Sequence, residues 1–270
     1  MRIAVLLSLG QHPANGRARR AELDAKALEL ALGLAVDLTW GPSEIHAVHA
    51  GDPSADALRD YLGMGLHRLH VLDVAHGDDP VPALKAHLEA IRPDIVLTGL
   101  RAEVGEGSGM VPYLLAEALG ASLVADVAGI VSLGDEVTVL QALPRGRRRQ
   151  VTLRLPAVLP VNAAAPEPRA PAFARARRGI IEPHAVESVA DGFLTMCETE
   201  PWRARPKRMG LPTGASAAQR MKAMTEARAG DGQVMVRPTP DEAAAALYDY
   251  LVAHRFLGPE EDSRSTDTKK

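Results

Sequence analysis

The sequence predicts an α/β fold with a doubly wound, mainly parallel sheet, and three observations lead to that prediction. Short apolar runs rich in β-branched residues alternate with helical patterns through residues 1–120, which is typical of βαβ units. Hydrophobic residues make up 46% of the 270 residues, which is enough for a sizeable core. A glycine-rich turn separates the apolar run 94–98 from the helical pattern 110–119, as expected where a parallel strand ends and a helix begins.

The individual elements follow from the spacing of the apolar residues. Strands are predicted at 3–9, 45–49, 68–74 and 94–98, and helices at 22–34, 54–64, 82–91 and 110–119. Segment 10–21 is predicted as a loop, and Ser54 as the cap of its helix. Crossover connections of this kind place helices on both faces of a Rossmann-like sheet. Three strand ends should then converge on one crevice, at residues 8–10, 50–51 and 99–109.

The pattern changes after Gly120. Three short runs predict an antiparallel hairpin excursion and a fourth predicts another buried strand, at 123–132, 137–143, 150–155 and 155–159. Prolines then recur through 160–171, a segment that should be neither regular helix nor central strand. An amphipathic helix capped by Thr239 or Asp241 is predicted at 241–254. We therefore expect an α/β domain at 1–180, an extended C-terminal arm at 181–258 and a disordered tail at 259–270.

Composition and charge exclude several classes of function. Aromatic residues are only 3% of the chain and the formal net charge is −3, which argues against nucleic-acid binding by base stacking or by a basic surface. The single cysteine, Cys197, excludes an internal disulfide and fits a reducing compartment. The first apolar run is too short to span a membrane. We therefore expect a cytoplasmic protein without direct membrane insertion.

No motif places a nucleophile beside a base, so we expect no catalytic residues. The nine histidines are scattered, with His67 and His70 in a helix-to-strand connection, and solvated positions are expected rather than a metal site. Four arginines fall on the predicted hairpin, where they could meet an acidic partner or a phosphate, or protect a sheet edge. They are Arg145, Arg147, Arg148 and Arg149.

The glycine-rich turn allows two interpretations. Its backbone N–H groups and the following helix N-terminus could hold a phosphate without any basic side chain. Alternatively, the glycines only make a tight turn. Their spacing matches neither of the common phosphate-binding glycine patterns, so these observations leave both interpretations open.

Five stretches, in order, resemble the β subunit of electron transfer flavoproteins, over about residues 1–180 and more loosely to 258. They are MRIAVLLSL, LDAKALELAL, HAGDPSADALRDYLGMGLHR, RPDIVLTGLRAEVGEGSGMVPYLLAEALG and LRLPAVLPVNAAAPEPR. The second stretch keeps Asp24 and Glu29 of the family pattern, and the last keeps Glu167 and Arg169. The resemblance implies an electron-carrier subunit rather than an enzyme.

The resemblance also implies cofactors and partners. An α subunit would hold most of an FAD in a heterodimer, and this chain would bury a structural AMP. The heterodimer would carry electrons from flavin dehydrogenases to a quinone reductase, the electron transfer flavoprotein–quinone oxidoreductase. The AMP contacts implied by the resemblance are Leu6, Ala21, Glu22, Leu23, Asp24, Ala50, Gly99, Arg101, Gly105, Gly107, Ser108, Gly109, Met110 and Val111.

Partner contacts are implied at two places. Residues 160–178 resemble the family's recognition loop, whose apolar anchor falls on Phe173, with Glu167 and Arg169 in the same loop. The alternative is that Phe173 packs back under the loop. The arginine-rich hairpin corresponds to one that faces the α subunit and the flavin edge, but its charge is reversed relative to the family.

Departures from the family pattern keep two other functions open. Ala21-Glu22 stands where the family has Asn-Pro, and Leu100 stands where it has Lys. The chain could instead be a bifurcating-type subunit that binds a second FAD and reacts with NADH. It could also be a nucleotide-binding module that has lost its flavin function.

Overall fold

The structure, a computed structural model, describes residues 1–36, 42–198, 200, 216–217, 221, 235–253 and 256. The chain divides into two compact units, Met1–Glu200 and Pro201–Lys270. The tail expected at 259–270 lies outside the described residues, as does most of 201–234.

The first unit alternates strands and helices. Its strands are β1 (Arg2–Leu6), β2 (Leu9–Gln11), β3 (Ala18–Arg20), β4 (Glu44–Gly51), β5 (Arg68–Asp73), β6 (Ile95–Gly99), β7 (Ser122–Leu123), β8 (Val127–Leu133), β9 (Glu136–Ala142), β10 (Arg148–Arg154), β11 (Ala157–Val161) and β12 (Ile180–Ala185). Its helices are α1 (Glu22–Val36), α2 (Arg59–Gly63), α3 (Pro80–Ile91), α4 (Val111–Leu119) and α5 (Phe173–Arg178).

One large sheet organises this unit and confirms the predicted α/β fold. Its described strands run in the order β10-β9-β8-β11-β6-β1-β4-β5-β12, with β7 beside β11. The strands from β11 to β12 are parallel, and the β8–β9–β10 meander is antiparallel. Every residue of the central strands β6 and β11 is buried, as expected for strands covered on both faces.

Helices cover both faces of the sheet because each presents one apolar side. Buried residues of α1 and α2, such as Leu28 and Leu62, form a core with one face of the strands. Leu84 and Leu88 of α3 and Leu115 of α4 form the core of the other face. The side chain of Asp79 accepts a hydrogen bond from the N–H of Val81 at 2.9 Å, which fixes the start of α3.

The segment predicted as a loop at 10–21 is instead a small hairpin. β2 and β3 pair antiparallel as a separate two-stranded sheet. The turn between them closes through a hydrogen bond from the N–H of Gly16 to the carbonyl of His12 at 2.8 Å, and Gly16 has a positive φ of 67°. An Asn15-Gly16 pair is a hairpin signal, and the polar composition around it obscured that signal.

The helix expected at 54–64 is shorter than predicted, and Ser54 does not cap it. A 3-10 turn at Asp56–Leu58 precedes α2, and neither has a side-chain cap. Ser54 instead donates its hydroxyl to the carboxylate of Asp52, because that acceptor lies two residues away in the same turn.

Pro160 corrects the expectation that the proline segment contains no central strand. It lies inside β11 and pairs in register with Thr98 of β6. On its other side, β11 pairs with β7 at Ala157 and Val158 and with β8 only at Val161. The missing N–H of Pro160 falls between those two contacts, where the ladder is already interrupted.

The sheet continues past residue 180, where the sequence placed a boundary, because β12 pairs with β5 along its whole length. In the second unit, the predicted C-terminal helix is confirmed at Pro240–Ala253. Thr239 caps it by exchanging hydrogen bonds with Glu242. None of the described helices combines the length and the apolar character needed to cross a bilayer.

Candidate functional site

The strand ends predicted to converge do lie side by side, and one carboxylate of α1 links two of them. Strands β6, β1 and β4 are neighbours and parallel, so their carboxyl ends meet at one edge. Asp24 joins two of these ends: one oxygen accepts from the N–H and hydroxyl of Ser8 after β1, and the other accepts from the N–H of Gly99 at 2.7 Å. A single side chain therefore fixes the spacing of two strand ends.

Burial sets the ionisation of this carboxylate. Only 5% of Asp24 is exposed. Desolvation raises the pKa of Asp24 to about 6, although the hydrogen bonds from Ser8 and Gly99 act in the opposite direction. Both oxygens accept hydrogen bonds within the fold, so Asp24 positions the site.

Tyr61 of α2 ties the same edge to the start of α1. Its hydroxyl accepts a hydrogen bond from the N–H of Ala21 at 2.9 Å and donates one to the carbonyl of Ser8 at 2.7 Å. The ring is fully buried, and that burial raises the pKa of Tyr61 well above its usual value. The hydroxyl stays protonated and acts only as a structural hydrogen-bonding group.

Glu103 occupies the amino end of α1. Its carboxylate accepts from the N–H of Glu22 at 2.7 Å and forms an ion pair with Arg19 of β3 at 2.8 Å. A helix amino end is a favourable place for an anion, and here a side chain of the glycine-rich loop fills it. The loop is thereby pinned to α1 and to the β2–β3 hairpin.

The glycine-rich loop needs its glycines for conformation. Gly105, Gly107 and Gly109 have positive φ values of 84°, 62° and 75°. A Cβ at Gly109 would lie 2.9 Å from the carbonyl oxygen of Leu100, so any other residue would be strained there. The loop is largely exposed, and the N–H of Met110 donates to the hydroxyl of Ser108 at 3.2 Å.

The residues implied as AMP contacts fall into two sets. In the first set, the backbone N–H groups of Ala21 and Glu22 and the carboxylate of Asp24 already have hydrogen-bond partners inside the fold, and Leu6 is buried. Gly99 is also buried, and its N–H donates to Asp24. The other set lies on or beside the accessible loop or at a neighbouring strand end, and comprises Leu23, Ala50, Arg101, Gly105, Gly107, Ser108, Gly109, Met110 and Val111.

Phe173 is exposed at the start of α5. Its exposed fraction is 76%, and the Arg177 guanidinium lies 5.8 Å from its ring centroid. The ring therefore does not pack back under the loop. A loop that presents one large aromatic ring beside cations has the surface chemistry of a docking anchor.

Two ion pairs hold the docking segment, residues 160–178, on α1. Arg169 makes a two-pronged contact with Glu29, with guanidinium nitrogens 2.8 Å from each carboxylate oxygen. Lys26, which is 1% exposed, donates to Glu167 at 2.5 Å and to the carbonyl of Ala165. Glu167 and Arg169 thus have internal partners, and their part in binding another protein stays a prediction.

The segment also packs tightly on α2. The N–H of Ala172 donates to the carbonyl of Gly63 at 2.9 Å, and a Cβ at Gly63 would approach that of Pro171 to 2.8 Å. Gly63 is therefore required for this close approach. The docking segment is exposed yet fixed in position by both helices.

The four arginines of the hairpin lie at and after the turn between β9 and β10, and all are exposed. Strand β10 is an edge of the sheet. Arg149 donates twice to the side-chain oxygen of Gln141, at 2.6 and 3.0 Å. In the part of the chain that the structure describes, none of the four has a carboxylate within 4.0 Å. Their positive charge is available to an anionic group or partner.

The histidines depart from the solvated positions expected for them. His67 is exposed, as predicted, but His70 is half-buried inside β5 and its ring lies among three other imidazoles. These residues line a separate cleft that does not include the glycine-rich loop.

Sequence reasoning placed Ser8 and Glu103 within the converging segments 8–10 and 99–109 but gave neither side chain a role, and it did not connect Lys26 or Tyr61 with the site. Lys26 carried a signal, because a lysine stood between Ala25 and Ala27 in an otherwise apolar stretch of helix. The other three act through contacts between residues far apart in the chain, and no local pattern marks such residues.

Two comparisons with known proteins agree on the nature of the chain. A family model described as electron transfer flavoprotein domain matches residues 14–189. The chain is also similar to the electron transfer flavoprotein subunit beta of Chromohalobacter salexigens. The two are 44% identical over 256 residues, which cover 93% of this chain and 94% of the relative.

Proposed function

The chain belongs to the electron transfer flavoprotein β-subunit family, and on that premise we propose that it is one half of an FAD-containing heterodimer that carries electrons between other proteins. As a β subunit it is an electron-carrier component and not an enzyme. The α subunit would hold most of the FAD. Flavin dehydrogenases would donate electrons to the heterodimer, and a quinone oxidoreductase at a membrane would accept them.

The observation that carries the proposal is the meeting of the ends of β6, β1 and β4, with the glycine-rich loop following β6. Asp24 ties the ends of β1 and β6 together, and the positive-φ glycines give a loop whose backbone can approach a phosphate closely. We propose that the loop from Gly99 to Val111 holds a structural AMP. Since Glu103 fills the amino end of α1, the phosphate would lie against the loop backbone.

FAD, when bound, supplies the redox chemistry, since it accepts and releases one or two electrons. This chain would contribute positioning only. The hairpin arginines, which lack described carboxylate partners, fit an anionic group of the cofactor or an acidic patch of the α subunit. No side chain of this chain is required to move a proton or form a covalent bond.

Docking and assembly complete the proposal. Phe173 would enter a pocket on the dehydrogenase, with the segment held in place by α1 and α2. The part of the predicted arm 181–258 that follows β12 would wrap the α subunit, and the exposed Leu247, Tyr248 and Val252 of the C-terminal helix supply an apolar side for that contact. The free, exposed Cys197 supports a reducing, cytoplasmic setting.

Extraction of bound nucleotides tests this proposal. The chain would be co-expressed with its genomic α partner, purified as a complex, and denatured, and the released nucleotides would be separated by chromatography. We expect FAD and AMP in equal amounts and a yellow complex. A Gly109→Val variant should lose AMP because its Cβ meets the Leu100 carbonyl, whereas Gly134→Ala, whose added Cβ has open space, should keep it.

Other outcomes would replace the proposal by its alternatives. Two flavins per complex, with reduction by NADH, would identify a bifurcating-type subunit. AMP without flavin, in a colourless complex to which FAD does not bind, would identify a nucleotide-binding module without redox function.

A further inference from the structure

Four half-buried histidines lie together on the face of the sheet that α3 covers. They come from β4, β5, α3 and β12 and are His46, His70, His87 and His184. His70 is at the centre, with its ring centroid 6.4, 5.6 and 5.2 Å from those of His46, His87 and His184. All four line a cleft of about 660 Å³, so the group is reachable from solvent.

The donor atoms of this group are close enough to share one ion. His70 Nδ1 lies 3.0 Å from His184 Nε2, and each lies 3.9 Å from an oxygen of Glu182. These three ligand atoms lie within 4.8 Å of one another. Two nitrogens on a tetrahedral Zn²⁺, with bonds of about 2.05 Å, would be about 3.3 Å apart and their ring centroids roughly 5.2 Å apart.

We propose that His70, Glu182 and His184 bind a divalent transition-metal ion of the Zn²⁺ class, with His87 as the fourth ligand. The ring centroid of His87 lies 5.7 Å from that of His184, close to the separation that a shared tetrahedral ion requires. Nε2 of His87 is buried and has no hydrogen-bond partner in the described part of the chain. A set of imidazoles with one carboxylate suits zinc and its neighbours rather than Mg²⁺ or Ca²⁺.

The charged groups around the site are compatible with a cation. Arg68 contacts one oxygen of Glu182, which orients the carboxylate and leaves its other oxygen facing His184. Glu44 lies 3.4 Å from His46 and adds negative charge at the edge of the cluster. Burial lowers the pKa of His70 and of His87, so their nitrogens are available as neutral ligands near pH 7.

The ion would cross-link β5, β12 and α3, in addition to the Arg68–Glu182 ion pair that already joins β5 to β12. β12 is the edge strand of the sheet, and it precedes the segment that leads to the second unit. Ligands from β12, β5 and α3 would hold that edge in place. The site is separate from the glycine-rich loop, and the inference does not depend on the electron-carrier role.

Zinc binding to the purified complex tests the inference. The complex would be made without a polyhistidine tag, stripped with a chelator and dialysed against Zn²⁺, and bound metal would be measured by mass spectrometry. We expect roughly one Zn²⁺ per chain and a rise in Tm of about 5 °C at a free Zn²⁺ concentration near one hundred times Kd. Co²⁺ in its place should give the intense visible absorption of a tetrahedral site.

Variants identify the ligands. His184→Gln and His70→Gln should each lose the bound Zn²⁺ and the Tm rise, while His76→Gln, which changes an exposed histidine outside the cluster, should keep both. Each variant is compared with its own metal-free melting curve, which separates loss of binding from loss of folding. The inference is overturned if the unsubstituted complex binds no more Zn²⁺ than His184→Gln, or if zinc raises the Tm of both equally.

Discussion

Two of the three carboxylates of helix α1, those of Asp24 and Glu29, have surroundings that differ in kind. Asp24 is buried and accepts hydrogen bonds from neutral groups of Ser8 and Gly99. Glu29 lies near the surface and accepts hydrogen bonds from the guanidinium of Arg169. Burial raises the pKa of Asp24 to about 6, whereas Arg169 holds the pKa of Glu29 below its usual value. The same helix thus fixes the ends of β1 and β6 and the segment 160–178 by opposite electrostatic means.

The difference gives the two regions opposite dependence on pH. For Asp24, the folded state binds the proton more tightly than the unfolded state, so its contribution to stability falls as pH rises from about 4 to 6. For Glu29, the folded state favours the ionised form. The stability it contributes is therefore present above its unfolded pKa of 4.5 and is lost as pH falls through its lower folded pKa.

The largest expected effect concerns Asp24. Raising its pKa from 3.8 to about 6 corresponds to roughly 3 kcal/mol at about 1.4 kcal/mol per unit. In Asp24→Asn this titration is absent, and the new amide N–H group would face the N–H of Ser8. We expect the variant to have a lower free energy of unfolding than the unsubstituted chain. The difference between the two should become smaller, by up to about 3 kcal/mol, as pH rises from 4 to 7.

Urea unfolding of both chains, followed by circular dichroism at a series of pH values, measures this difference. The contributions of other titrating groups are the same in both chains, so they cancel when one curve of unfolding free energy against pH is subtracted from the other. A difference that stays constant with pH would show that Asp24 is ionised in the folded chain with an ordinary pKa.

A smaller effect is expected at the docking segment. Phe173→Ala removes the exposed aromatic ring, and loss of such an anchor typically weakens association by about 2 kcal/mol, or roughly 30-fold. We expect the apparent KM of the dehydrogenase for the heterodimer to rise by that factor. Because the ring is 76% exposed, Tm and flavin content should stay unchanged.

Phe193→Ala is the matched control, since Phe193 is 59% exposed and lies outside the docking segment. Equal KM values for the two variants and the unsubstituted protein would show that Phe173 does not contribute to the docking interface. A fall in kcat without a change in KM would instead assign the ring to electron transfer after docking.

The smallest effect is expected for the pair that anchors the segment. A double-mutant cycle of Glu29→Gln and Arg169→Gln should give a coupling energy of about 0.5–1 kcal/mol at pH 7, because Arg169 is 40% exposed. The coupling should vanish at a pH well below the ordinary pKa of Glu29. Urea unfolding of the four chains at both pH values provides the measurement.

The matched control pair is Lys85 and Glu89 on α3, which lie 3.7 Å apart with both side chains largely exposed. Its coupling should be smaller, about 0.3 kcal/mol. If the two cycles give the same coupling, the two-pronged geometry of Arg169 adds nothing, and the docking segment is held by Lys26 and by packing on α2.

Much of the fold was predictable because its signals are local. The apolar runs of β1, β4, β5 and β6 and the helical periodicity between them follow directly from the residues, and a parallel sheet follows from their alternation. The convergence of three strand ends was predictable for the same reason. The exposure of Phe173 was also predictable, since a loop of prolines, alanines and arginines offers no core to receive a ring.

The remaining features depend on contacts between distant residues. β12 contains Pro183 and two polar side chains, so it carries no strand signal, and it forms because β5 offers an unpaired edge. The Asp24 network and the histidine cluster bring together residues that no spacing rule connects.

The sequence by itself therefore determined the fold class and the glycine-rich loop and favoured an exposed Phe173, because periodicity, backbone freedom and polarity are properties of short stretches. Only the tertiary structure decided which polar groups meet. It placed Asp24 between two strand ends, Glu29 under the docking segment and four histidines around one point. Hydrogen bonds and ion pairs act over about 3 Å, and only the folded chain brings residues from different elements that close.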